Sequence, residues 1–180
     1  MPTGRSTQIT KQRGEYLVAA ELSKRGLFVA TFSGNVPDFD LVAVRDDGST
    51  SLVQVKAITG PSWQFKIDDF AVVDDLCDVD GELSAGSQVL GDLTELRNPA
   101  IIWVMVQFLG EAAHKFWVAP QGDVQAVIVD GYQKMLSKHE GRRPRQWRSH
   151  HTAIWPAQIE KHAGRWDLIT GMAAVSGSST

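Results

Sequence analysis

The sequence predicts an α/β or α+β chain, with a mixed sheet under helical cover, folded as one domain over residues 1–180. Three observations point there. A helical pattern over residues 11–25 runs directly into strand-like segments. Two of those segments flank Asp46-Asp47-Gly48, a hairpin turn signal. A continuous apolar run over residues 100–108 then reads as a strand covered on both faces. At 180 residues, 43% apolar and 22% charged, the chain is long enough to bury a sizeable core.

Residues 1–10 are polar and read as a frayed end, as do residues 176–180. In the first helix, Leu17, Val18, Ala20 and Leu22 sit among good helix formers, and Gly26 supplies a C-terminal stop. Residues 27–32 read as a strand, Ser33-Gly34-Asn35 as a loop, and Pro37 as the entry to the next element. Residues 39–44 and 51–58 form the hairpin, and residues 63–67 alternate as a further strand. Residues 68–97 are expected to hold a short helix or loop near 70–76 and a polar excursion over 80–91. Residues 115–118 read as the antiparallel neighbour of the strand at 100–108, because the connection between them is short. Residues 124–137 read as a helix, 140–148 as a basic loop, and 156–163 as a last short helix with Pro156 in its first turn.

The single cysteine, Cys77, excludes an intramolecular disulfide and a Cys-rich zinc site, and it reads as a plain thiol. The N-terminus has no apolar signal segment, and no apolar run is long enough to cross a bilayer, so a cytoplasmic location is expected. A net charge of −3 does not advertise a nucleic-acid binder. The charge is uneven, however. Between Lys66 and Arg97 there are nine acidic residues and no basic one, whereas from Tyr132 onward there are eight Lys/Arg against three Asp/Glu. A polyanion is repelled by the first stretch and attracted by the second.

The hairpin carries the chemistry. If its turn centres on Asp47, Asp40 faces Gln54 and Asp38 faces Lys56, and alternation projects all four from one face at one end of the ribbon. Much of both faces is apolar, so a Gln and a Lys at alternate positions need partners. Two readings fit. One is a hydrolytic site for a hard divalent cation, with carboxylate and amide oxygens as ligands. The other is a buried Asp–Lys pair with a hydrogen-bonded Gln.

The segment Pro37-Asp38-Phe39-Asp40-Leu41-Val42, followed by Gln54-Val55-Lys56, resembles the PD-(D/E)XK nuclease signature. Upstream, Gly14-Glu15 and Lys24-Arg25-Gly26 mark a helix similar to the first helix of archaeal Holliday-junction resolvases, which carries an extra acid. The order of elements over residues 11–58 matches that superfamily's core. The run at 100–108 and Arg165-Trp166-Asp167-Leu168-Ile169 look like small bacterial endonuclease-like members. The resemblance implies a restriction-endonuclease-like mixed central sheet flanked by helices. It implies Asp40, Gln54 and Glu15 as ligands to Mg2+ or Mn2+, and Lys56 as the signature lysine. Asp38, directly after Pro37, competes with Asp40. Without the resemblance, Glu15 reads as a solvated helix residue. Gln54 departs from the signature's acid, removes a negative charge and weakens metal binding.

The implied activity is Mg2+-dependent hydrolysis of DNA, and cutting both strands most simply needs a homodimer. The alternatives are a non-catalytic nucleic-acid-binding or protein-interaction module of the same fold, and a toxin- or defence-associated accessory protein. Arg142, Arg143, Arg145, Trp147 and Arg148 interleave cations with an aromatic, a pattern suited to a phosphate backbone with a base stacked on the indole, or to a solvated loop whose indole packs inward. His150, His151 and His162 read as surface histidines, and the acidic run 74–82 lacks calcium-loop spacing. Trp63, Trp103, Trp117, Trp155 and Trp166 read as core or rim packing.

Overall fold

A computed structural model describes residues 4–32, 38–77, 86–143 and 146–171. Along the chain the elements are α1 (Gly4–Lys24), β1 (Phe28–Thr31), β2 (Leu41–Val44), β3 (Thr50–Ile58), β4 (Trp63–Lys66), a 3-10 turn (Ile67–Asp69), β5 (Ala71–Cys77), β6 (Gly86–Leu93), β7 (Ile102–Phe108), β8 (His114–Pro120), α2 (Gln121–Lys138), β9 (His151–Ile154), a 3-10 segment (Pro156–His162) and α3 (Asp167–Thr170). They fall into two compact units, each described by itself: one of Met1–Pro61, Asn98–Gln121 and Ile159–Thr180, the other of Ser62–Arg97 and Gly122–Gln158.

The first unit is built on a five-stranded mixed sheet of order β1-β2-β3-β7-β8. The hairpin register is the one expected. Leu41 pairs with Val53 and Val42 with Leu52, while β3 runs parallel to β7 and β7 antiparallel to β8. The turn signal works as chemistry: Gly48 takes φ +81°, and the Asp47 carboxylate accepts a hydrogen bond from Ser49 N at 2.8 Å. Strand β7 lies between β3 and β8 and is apolar except at Gln107, with the consecutive Val104, Met105 and Val106 all buried, as in a strand covered on both faces. The core gathers Val18 and Leu22 of α1, Leu41, Val53 and Val55 of the hairpin, Val104 and Val106 of β7, and Ile169 of α3. A mixed central sheet with helices packed on it is therefore present.

The second unit pairs β4 with β9 and β5 with β6, both antiparallel. This corrects the sequence reading of residues 68–97. The segment expected to be a helix or loop is β5, and part of the polar excursion is β6. Their acidic and Gly-rich residues mask strand character because much of this ribbon is exposed. Helix α1 also begins at Gly4, inside the segment expected to fray. His162 is buried at 4% exposure, against the surface placement expected of it, whereas His151 is exposed. Trp63, Trp117 and Trp166 are buried as expected, and Trp155 is half exposed. Among the described residues no helix is long and apolar enough to cross a membrane.

A polar network ties the second unit together. Tyr132 OH donates to Gln88 Oε1 at 2.6 Å, and Gln88 Nε2 donates to Asp75 Oδ1 at 2.8 Å. The same Asp75 oxygen lies 3.2 Å from His150 Nε2, while His150 Nδ1 lies 2.6 Å from Asp68 Oδ1. Carboxylates accept only, so meeting both at once takes the doubly protonated ring. Burial draws the His150 pKa down, but the hydrogen bonds and charges of Asp75 and Asp68 outweigh it, and the net shift is upward from 6.5. A raised histidine contributes stability that is fully present below its unfolded value and is lost as pH rises through the folded one. We expect the difference in urea midpoint between wild type and His150→Gln to be largest at pH 6 and below, and to shrink as pH rises above about 6.5. A difference that stays constant with pH would contradict the charged bridge.

Candidate active site

The site is built from one helix and the open end of the hairpin. Residues Lys11, Glu15, Val18 and Leu22 recur at helical spacing, and Val18 and Leu22 are fully buried. Beside Glu15, Gly14 is buried against β3. A Cβ built on Gly14 would lie 2.4 Å from Ala57 Cβ. Only a residue without a side chain lets the helix lie this close to the strand. Arg13, one residue earlier, sits 4.0 Å over the Phe108 ring and donates to Glu111 O at 2.6 Å, and Arg25 sits 4.4 Å over Trp166. The helix is thus held at its middle, beside the Gly14 close approach, and again just past its C-terminal end.

Asp40 lies just outside β2, where the ribbon's backbone ladder stops. Its N–H still donates to Val53 O at 2.9 Å. Its carboxylate then takes over the ladder: Oδ2 accepts from Val55 N at 2.8 Å and from Gln54 Nε2 at 2.6 Å. With Oδ2 engaged by the strand, Oδ1 faces the helix. There Lys11 Nζ lies 3.4 Å from Asp40 Oδ1 and 3.5 Å from Glu15 Oε1. The Lys11 ammonium stands between two carboxylates that come from different elements.

The electrostatics follow from that packing. Burial, then the charge of Asp40, hold the Glu15 carboxyl above its ordinary value against the opposing pull of Lys11. Burial draws the Lys11 ammonium down, but the charges and hydrogen bonds of Asp40 and Glu15 raise it overall. Glu21, farther along the helix, pairs with Arg25 and Lys24 and belongs to a separate ion pair.

The structure therefore brings Glu15, Asp40 and Gln54 together. Lys56 lies two residues beyond Gln54 on β3, on the same face by alternation, with Met105 of β7 as its register partner. Asp38 does not extend that face. The strand begins at Leu41, and Asp38 sits at φ +76°, left-handed backbone that breaks the pleat, so alternation cannot carry it to Asp40's side. Pro37 lies outside the described residues. Sequence reasoning missed Lys11, whose signal was its position four residues before Glu15 on one helix. It also missed the packing role of Gly14, whose signal was a glycine inside a helical pattern.

The donor set is two carboxylates and one amide. Among the described residues no three His, Cys, Asp or Glu side chains gather as a metal-holding group. A hard cation such as Mg2+ keeps several waters and binds through one or two carboxylates, so this smaller set suits it. An ammonium bridging both acids marks the position as one that draws positive charge.

The basic residues read as a nucleic-acid contact belong to the second unit. Arg143 donates to Ser149 O and lies over Tyr132, closing the loop onto α2. Arg148 covers the Trp147 ring at 4.7 Å, and the far edge of that ring abuts Gly86, where a Cβ would meet Cζ3 at 2.6 Å. Trp147 is therefore half-buried and engaged within its own unit by Gly86 and Arg148. Arg142 is exposed, and Arg145 lies outside the described residues.

In structure the chain is similar to a bacterial homing endonuclease, I-Ssp6803I, with 17% sequence identity, a TM-score of 0.42, and coverage of 67% of this chain and 73% of that one. No family model and no curated protein matches the chain.

The close contact at Gly14 generates a packing test. Helix propensity alone favours Gly14→Ala by about 1 kcal/mol. The clash with Ala57 reverses the sign, with an expected loss of about 1–3 kcal/mol in urea unfolding. Adding Ala57→Gly to Gly14→Ala should restore most of that loss. A stabilised single variant would show that the helix does not lie against β3 as described.

Proposed function

We propose that this chain is a divalent-cation-dependent phosphodiesterase acting on DNA, with its reaction centre at Glu15, Asp40, Gln54 and Lys56. One observation carries this reading. Acids from the first helix and from the hairpin's open end meet at one positive charge, next to an amide and on the strand that bears the signature lysine.

In this reading Glu15 and Asp40 would hold Mg2+ or Mn2+ by their carboxylates, with the Gln54 amide as a third donor. The bound cation supplies Lewis acidity at a phosphate oxygen and makes water a stronger acid. Val55 N and Gln54 Nε2 fix the Asp40 carboxylate by holding Oδ2, so its other oxygen, the one beside Lys11, keeps one direction. Lys56 would turn its ammonium to the phosphate as negative charge grows there, or to the attacking water. Burial and the charge of Asp40 work against the charged form of Glu15 in the ion-free cluster, a repulsion that a cation held between the two acids would relieve.

A second reading has its own supporting observation. Gln54 donates to Asp40, where the signature's acid would repel it, and Lys11 already pairs with both carboxylates. Such a satisfied cluster suits a non-catalytic descendant that retains the fold to bind nucleic acid or protein.

Plasmid nicking and calorimetry together separate the two. The phosphodiesterase reading expects Mg2+- or Mn2+-dependent nicking that falls about 100-fold or more in Lys56→Ala, on the scale of removing one transition-state donor. It also expects cation-binding heat in wild type that is absent in Asp40→Ala. Nicking that survives in Lys56→Ala would point to another centre. Equal heats in wild type and Asp40→Ala, or none in either, would favour the non-catalytic module.

A further inference from the structure

We infer that Lys11 is the resident counter-cation of the Glu15–Asp40 pair, and that a divalent ion enters this site by displacing its ammonium. The inference rests on the metal reading above and assigns to it a residue that the nuclease signature does not contain.

The geometry is specific. Lys11 Nζ is within 3.5 Å of Glu15 and 3.4 Å of Asp40, so one ammonium serves carboxylates from two elements. Both acids are largely covered, at 22% and 11% side-chain exposure, while Lys11 is 56% exposed. The acids are fixed and the cation is on a flexible stem at the rim, free of any cost of burial when it swings outward. Asp40 cannot turn away, because its other oxygen is held by Val55 N and Gln54 Nε2. The (i, i+4) spacing to Glu15 keeps the ammonium close at hand when the ion leaves. A unit positive charge beside the acids screens their mutual repulsion in the ion-free protein and opposes an incoming ion.

Mn2+ titration calorimetry on the full chain tests this with wild type, Lys11→Met and, as a control for charge lost at the C-terminal end of the same helix, Lys24→Met. Methionine keeps the stem and removes the charge. Lys11→Met should bind Mn2+ about fivefold more tightly or better, the scale of one unit charge beside the ion in water, with Lys24→Met close to wild type. In the absence of divalent ions, Lys11→Met should lower the melting temperature, and the loss should shrink in a Glu15→Gln background. Equal or weaker Mn2+ affinity in Lys11→Met, with wild type binding normally, would overturn the displacement role alone. No binding by any of the three proteins would overturn the metal reading and this inference with it. Binding by Lys11→Met alone would support both.

Discussion

The close approach of α1 to β3 is the constraint on which the rest of the first unit depends. A helix backbone normally stands off a sheet by the thickness of its side chains. Here Gly14 removes that thickness at one position, directly against Ala57, and the neighbouring Glu15 is carried to the hairpin's open end. The arginine contacts at Phe108 and Trp166 set the helix's position along the sheet, and the buried Val18 and Leu22 set its rotation. A glycine inside a helix costs about 1 kcal/mol in propensity. The close packing it permits is the physical reason for keeping it there.

The hairpin supplies the second half of the arrangement by ending early. Because β2 stops at Leu41, Val55 N would lose its ladder partner, and the Asp40 carboxylate serves instead. One oxygen thus does structural duty, and the other is left to face the helix. The result is a cluster that is costly on its own: two acids, partly desolvated, close enough for Asp40 to raise Glu15. Lys11 and Gln54 offset that cost with a charge and a hydrogen bond. Clusters of this kind, in which packing works against the charged form of a side chain, tend to gather where chemistry is done.

The parts legible in the sequence were those governed by short-range rules. The Asp-Asp-Gly turn fixed the hairpin register, and that register set Asp40 opposite Gln54 from residue numbers alone. The apolar run of β7 signalled an interior strand because a strand covered on both faces needs no alternation. The ribbon of β5 and β6 was not legible, since its acidic and glycine residues disfavour strands and its order comes from pairing and from the Tyr132–Gln88–Asp75–His150 network. Asp38 was misplaced for a related reason: strict alternation was extended past the point where the backbone turns left-handed. Lys11 was overlooked because its role appears only once helix and hairpin are side by side.

The central claim is that Glu15 and Asp40 share one divalent cation. A crystal grown with Mn2+ and measured for anomalous scattering tests it most directly. The account predicts a single strong peak at about 2.1 Å from oxygens of both carboxylates, close to the usual hard-cation distance, with the Lys11 ammonium moved out of the space between them. Anomalous density found only elsewhere, with Lys11 still bridging Glu15 and Asp40, would contradict it.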